Sequence, residues 1–256
     1  KTVAVRINGL YSHWMYKDVV EIIERAGERC DMFIVPMVGN AKDVYMADSL
    51  TSQVESYVGR KKKIGFGLII EATLGMMNIN EIAASSKRLE SLHFGVADYA
   101  ASTKSRTTNI GGPNELYGVL TDKKGDAARD FYWGDPWHYA MSRIVVAARA
   151  NGLRPVDGPF GDIADPDGYR AQCRRAAALG MEGKWAIHPS QVAVANEVFS
   201  PGEAEVNQAR RVLEAMENAQ KEGLGAVSLD GKLVDIASIK QAEAIVKKAE
   251  AIQAAL

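Results

Sequence analysis

Cysteine is nearly absent: Cys30 and Cys173 are the only two in 256 residues. That excludes a disulfide framework and a thiolate metal cluster, and it fits a reducing cytoplasm, which is the expected location. Long apolar runs are missing too, none approaching the roughly 20 residues of a membrane span. The opening KTVAVRINGL lacks the charged stretch and apolar core of an export signal. Charge of one sign is also lacking, with 31 Lys and Arg against 32 Asp and Glu and a net charge of -1. No overall field draws the chain to nucleic acid or to an anionic membrane, so its partners have to be read from local sites. What is present is ordinary for a packed globular chain: 47% hydrophobic and 25% charged residues, which rules out a disordered or fibrous polymer.

Short β-rich runs alternate with longer helical patterns, the mark of βα units and a parallel sheet. Val3 to Ile7 leads to a helix near Lys17 to Glu28, and Met32 to Pro36 to one near Ala41 to Tyr57. Ile64 to Glu71 precedes a helix around Asn80; Leu92 to Asp98 precedes a long polar stretch and the helix in DPWHYAMSRIVVAARANG. Arg154 to Gly158 and Lys184 to Ser190 open the last two units. The runs are apolar on both faces, as buried parallel strands are. Six units of about 33 residues occupy positions 1–200, against the eight units and about 250 residues of a (β/α)8 barrel. The expectation is an α/β TIM barrel without its first two strand-helix units, so that roughly 70 further residues precede Lys1 in the intact molecule. Positions 201–256 are expected to form a C-terminal appendage of helix, hairpin at Asp230-Gly231, and amphipathic final helix.

Parallel α/β folds collect reactive groups at the C-terminal ends of their strands. That rule selects Arg6, Glu71, Asp98, Asp157 and His188, all expected to face one mouth. Glu71 and Asp98 make an oxygen-only pair suited to one hard divalent cation, or else each caps the helix after its strand. Zinc is disfavoured, because His13, His93, His138 and His188 are scattered without ligand spacing. Arg6 in an apolar strand needs a partner, either a structural carboxylate or an anionic substrate held by both arms of its fork. Gly65 and Gly67 lie inside a strand rather than in the turn after it, so they do not cradle phosphate. The run RKKK at 60–63 reads as a solvated loop, IGGP near Asn109 to Pro113 as a flexible loop, and FYWGDPWHY (Phe131 to Tyr139) as packing where a helix starts.

Six segments in order, VRINGL, LIIEATLGMMNINEIA, LHFGVADYAAS, PVDGPFGDIADPDG, GKWAIHPSQVAVANEVFSP and DGKLVDIASIKQA, resemble the HpcH/HpaI aldolase and citrate lyase β-subunit-like family over essentially the whole chain. The resemblance is nearest to the malyl-CoA lyase branch. It implies a Mg²⁺-dependent carbon-carbon lyase, with Mn²⁺ a possible substitute, cleaving malyl-CoA and its β-methyl homologue to a coenzyme A thioester and glyoxylate. It implies Glu71 and Asp98 as metal ligands, Arg6 on the substrate oxygens, and substrate or coenzyme A contacts at Ala97 with Asp98 and at Ile187 with His188. It implies Asp235 as the general acid/base, carried by a C-terminal segment that covers a neighbouring subunit's site in a homo-oligomer, a trimer or hexamer. The flanks of Asp235 in LVDIA suggest desolvation that disfavours its charge. Met37 departs from the family, standing where many relatives have Lys. A malyl-CoA thioesterase, a citramalyl-CoA or citryl-CoA lyase subunit and a class II aldolase acting on free pyruvate are the competing readings.

Overall fold

The computed structural model describes every residue except 108, 124, 127 and 256. The chain has an α/β fold built on one curled, all-parallel sheet of six strands. The first strands and helices are β1 (Ala4–Arg6), α1 (Met15–Ala26), β2 (Met32–Val35), α2 (Ala41–Val58) and β3 (Gly65–Ile70). Then come α3 (Thr73–Met77), α4 (Ile79–Ala83), β4 (Leu89–Phe94) and α5 (Val96–Thr103). A hairpin of β5 (Gly118–Leu120) and β6 (Phe131–Trp133) follows, then α6 (His138–Ala150), β7 (Arg154–Asp157), α7 (Pro166–Leu179), β8 (Gly183–Lys184) and α8 (Pro189–Phe199). The sheet order is β1-β2-β3-β4-β7-β8, each neighbour parallel.

Local chemistry sets the elements. In α1, Met15, Val19 and Ile23 recur every fourth residue and are buried as one stripe. A capping box of Asn40 and Asp43 opens α2, and Gly59 closes it at φ 69. Asp165 accepts from the Gly168 N–H at 2.8 Å at the start of α7, and Pro166 stands in its first turn.

Several expectations change. The strand expected to run to Asp98 ends at Phe94, because Gly95 breaks it and Val96 opens α5, so Asp98 sits in a first helical turn. The strand expected over Lys184 to Ser190 is two residues long and gives way to α8 at Pro189. The helix expected near Asn80 is two short ones meeting at Asn78. The polar stretch holds the β5–β6 hairpin, whose six strand residues are all exposed. The aromatic cluster therefore divides: Phe131 to Trp133 are strand residues, whereas Trp137 is buried and donates to the Gly112 carbonyl at 3.1 Å. The Ile110 carbonyl in IGGP accepts from the Gly161 N–H at 2.9 Å, so that loop is tied down. Arg60 of RKKK is not solvated, since its buried guanidinium donates to the carbonyls of Gly27 and Cys30.

The pleat decides which strand-end residues can meet. Register pairs Arg6 with Ile34, Ile34 with Gly67, Gly67 with Ser91, Ile69 with His93 and His93 with Val156. Those residues share one face, and every second residue shares it with them. Asp157 is one residue out of step and lies on the other face, where Lys184 donates to it at 2.7 Å with both side chains buried. The expectation that Asp157 faces the mouth is therefore corrected.

The contact pattern divides the chain into Lys1–Ala195 and Asn196–Leu256. The second unit contains α9 (Glu203–Lys221), β9 (Val227–Leu229), β10 (Lys232–Val234) and α10 (Ile236–Ala255), with α9 packed on α10. β9 and β10 are antiparallel, joined through Asp230 at φ 52 and Gly231 at φ 74. Positive φ at both central residues is the tight hairpin turn that an Asp-Gly pair favours. Among the described residues, no helix is long and apolar enough to cross a membrane.

Candidate active site

Glu71 follows β3 directly, on the face that carries Gly67 and Ile69. It is 5% exposed, and its Oε1 accepts the Met37 N–H at 2.8 Å. Met37 reaches that position in the left-handed region, φ 56, just after Pro36. Such a conformation costs a non-glycine residue about 1 kcal/mol, an amount that one hydrogen bond to the Glu71 carboxyl offsets. The exits of β2 and β3 are thus tied together by one carboxylate.

The exit of β4 closes on the same group. The Gly95 N–H donates to the Ile70 carbonyl at 3.2 Å. A Cβ on Gly95 would stand 2.3 Å from the Glu71 Cβ and 2.5 Å from its Oε2. Gly95→Ala is accordingly expected to displace Glu71, costing about 1–3 kcal/mol in stability and at least ~10²-fold in turnover. Thermal melting together with steady-state kinetics checks this, and an active Gly95→Ala chain would mean that Glu71 has room to move.

Asp98, exposed in the first turn of α5, lies beside Glu71. Burial, and then the charge of Asp98 and a hydrogen bond with it, push the Glu71 carboxyl up to about 7, against the lowering effect of the Met37 N–H and the Arg6 charge. Arg6 ends β1 and is exposed, with no hydrogen bond or ion pair among the described residues. The premise of a buried Arg6 is overturned: the buried guanidinium groups are those of Arg60 and of Arg88, the latter held by Glu55 at 2.6 Å and Asp48 at 2.5 Å. Ala97 is exposed in the same turn as Asp98.

The segment between β8 and α8 is also exposed at Ile187 and His188. The Ser190 N–H donates to His188 Nδ1 at 3.3 Å, and the Ile187 N–H to Gln191 Oε1 at 2.9 Å. His188 thus caps α8 through one ring nitrogen, and its Nε2 has no partner among the described residues.

In the second unit, Asp235 immediately precedes α10. Its Oδ1 accepts the N–H groups of Ala237 at 3.0 Å and Ser238 at 3.1 Å. The Ser238 N–H first, with the Ser238 hydroxyl and the Ala237 N–H, holds the carboxyl below its ordinary range. The reasoning from apolar flanks is corrected: Asp235 is a helix cap that favours its charged form.

Among the described residues, no three or more His, Cys, Asp and Glu side chains form a metal-holding group. The mouth offers a carboxylate pair and a nearby guanidinium. That donor set fits Mg²⁺, which uses one or two carboxylates and completes its shell with water and substrate oxygens. Sequence reasoning missed the Met37 amide and the space at Gly95. The Phe-Gly-Val junction could have signalled the latter, whereas nothing in the sequence signals the former.

A parallel α/β sheet that gathers a carboxylate pair and an arginine beyond its strand ends has the layout of an α/β enzyme. The chain belongs to the HpcH/HpaI aldolase/citrate lyase family, whose model matches residues 1–189. It is 52% identical over 254 residues to the L-malyl-CoA/beta-methylmalyl-CoA lyase of Cereibacter sphaeroides, covering 99% of this chain and 78% of that protein. Two solved structures share its fold. A citrate lyase from Burkholderia xenovorans matches with TM-score 0.81 and 20% identity over 98% of this chain and 73% of that one. CitE from Mycobacterium tuberculosis, solved with magnesium, acetoacetate and coenzyme A, matches with TM-score 0.70 and 24% identity over 96% and 78%.

Proposed function

We propose that this chain is a Mg²⁺-dependent carbon-carbon lyase that reversibly cleaves (S)-malyl-CoA to acetyl-CoA and glyoxylate, and β-methylmalyl-CoA to propionyl-CoA and glyoxylate. The observation that carries the reading is the convergence of Glu71, Asp98 and Arg6 at one strand-end mouth in a chain 52% identical to a lyase named for both substrates. In cleavage, the bond between the carbinol carbon and the thioester α-carbon breaks. The hydroxyl loses its proton and becomes the glyoxylate carbonyl, and the electron pair passes to the thioester enolate, which takes up a proton.

Glu71 and Asp98 would hold the cation, which when bound supplies Lewis-acid stabilisation of substrate oxygens. The Arg6 fork, exposed and without a protein partner among the described residues, is available to two oxygens that gain charge. Arg6→Lys is expected to lower kcat/KM at least ~30-fold, because an ammonium is a point charge. Near-normal kinetics would remove Arg6 from the site. Ala97 and Asp98 on one side, and Ile187 and His188 on the other, would contact substrate and coenzyme A. Asp235, kept ionised by its cap bonds, would take the α-proton of acetyl-CoA in condensation and return it in cleavage.

The finer architecture belongs to the same proposal. The six-stranded sheet would be an arc of a (β/α)8 barrel, with β1 and β8 as its two edges. The second unit would cover the site of a neighbouring copy in a homo-oligomer.

Product analysis tests the function. Malyl-CoA, Mg²⁺ and the chain should yield acetyl-CoA and glyoxylate in equal amounts, with activity lost on chelation. Free malate and coenzyme A as first products would replace the lyase with a thioesterase.

A further inference from the structure

The segment that carries Ile187 and His188 receives little help from the sheet. β8 has two residues, and its last ladder bond is the Trp185 N–H to the Asp157 carbonyl at 3.1 Å. Side chains hold the rest. On the helix side, Lys184 donates to Asp157 at 2.7 Å and to the Gly158 carbonyl at 2.8 Å. The Tyr169 hydroxyl donates to the Trp185 carbonyl at 3.1 Å. On the inner face, one tie crosses over β7: the Trp185 indole N–H donates to His93 Nδ1 at 2.9 Å.

His93 is buried on β4, one pleat before Gly95 and five residues before Asp98. With Nδ1 accepting, its proton sits on Nε2, which meets the Ser91 hydroxyl at 2.8 Å. Both ring nitrogens are used and the ring orientation is fixed. A Cβ on Gly67 would lie 2.8 Å from His93 Nε2 and 2.9 Å from Ser91 Oγ, so the glycine makes the space this pair fills. Trp185 also packs on the inner cluster of Met32, Ile34 and Ile69 and meets the His93 ring edge-on at 5.8 Å.

We propose that His93 is a positioning residue that, through the Trp185 indole, sets Ile187 and His188 at a fixed distance from the Glu71 and Asp98 end of the mouth. This rests on the lyase reading for what the mouth binds. The tie joins β4, whose continuation bears Asp98, to β8, whose continuation bears His188, and the two strands are not neighbours in the sheet. Ladder hydrogen bonds therefore fix their separation only indirectly through β7. A purely structural pair would fill volume, and any apolar pair of similar size would serve. A positioning pair needs an acceptor where Nδ1 stands.

The test uses the full chain with acetyl-CoA and malyl-CoA as probes. Trp185→Phe and His93→Leu are each expected to raise the acetyl-CoA Kd and the malyl-CoA KM about tenfold with kcat within about threefold, and the double variant to be no worse than either. His93→Asn, whose Oδ1 can accept from the indole, should stay within about threefold of the parent. The Trp185 indole proton, identified by its loss in Trp185→Phe, should exchange slowly and shift in His93→Asn. Unchanged Kd and KM in folded Trp185→Phe, additive losses, or His93→Asn as impaired as His93→Leu would overturn the proposal. If His93→Leu does not fold, Trp185→Phe, His93→Asn and the indole signal still decide it. A parent chain that does not cleave malyl-CoA would defeat the lyase reading instead, leaving acetyl-CoA binding and indole exchange to judge the tie.

Discussion

Glu71→Gln and Asp98→Asn are each expected to lower turnover of malyl-CoA at least ~10³-fold, the scale of losing several kcal/mol of charge stabilisation at the reacting oxygens. Neither should unfold the chain. Burial already disfavours the charged Glu71, whose carboxyl is pushed up to about 7. The sign follows from linkage. A carboxyl raised in the folded state contributes stability below its unfolded value near 4.5 and loses it as the pH rises to about 7. A Gln at position 71 has no charge to bury, so metal-free Glu71→Gln should be at least as stable as its parent at pH 8. Full activity in either variant, measured after metal depletion and reconstitution, would remove the carboxylate pair from the chemistry.

Asp235→Asn is expected to cut turnover by about 10²-fold or more while leaving the melting temperature nearly unchanged. Asparagine caps a helix as well as aspartate does, so the bonds to Ala237 and Ser238 can persist while the proton-transferring carboxylate is gone. Mixed oligomers separate a role within one chain from a role across chains. Combining Asp235→Asn with Glu71→Gln should restore part of the activity if Asp235 serves a neighbour, because some sites then receive both intact groups. Activity equal to the parent in Asp235→Asn alone would leave the residue a helix cap and nothing more.

His93 makes stability depend on pH on the acid side of neutrality. Burial first, with the Arg154 charge, lowers its imidazole to about 4. Its neutral form then contributes about 3 kcal/mol that is present above the unfolded value near 6.5 and lost as the pH falls towards 4. Urea denaturation of the parent and His93→Asn should show their stability difference shifting by that amount between pH 7 and pH 4. A difference that does not change with pH would mean that His93 is hydrated or already charged in the folded chain.

The alternation of six strands with helices was legible because parallel strands buried on both faces are continuous apolar runs, and MFIV and GFGLII carry no other message. Their ends were less legible. Phe94, Gly95 and Val96 pass from strand to helix within three apolar or small residues, so hydropathy does not mark the boundary that puts Asp98 on α5. Which strand-end residues face the mouth depends on pleat parity set by pairing across strands, which hydropathy does not reveal and which turns Asp157 to the other face. The roles of Arg6, Arg60 and Arg88 could not be separated in the sequence either. Arg6 and Arg88 adjoin apolar residues and Arg60 opens a basic run, yet Arg88 finds Glu55 and Asp48 across 33 and 40 residues of chain, and Arg6 stands exposed. Asp235 in LVDIA looked apolar-flanked, whereas the cap geometry that governs its charge arises only once α10 begins.

Whether Glu71 and Asp98 together hold one divalent cation is decided by titrating the metal-depleted chain with Mn²⁺ and following the loss of the free-ion paramagnetic signal. One Mn²⁺ per chain is expected, displaced by excess Mg²⁺, bound more tightly at pH 8 than at pH 6 because Glu71 must give up a proton near pH 7, and absent in Glu71→Gln. Equal Mn²⁺ binding by the parent and Glu71→Gln chains would place the cation elsewhere and contradict this expectation.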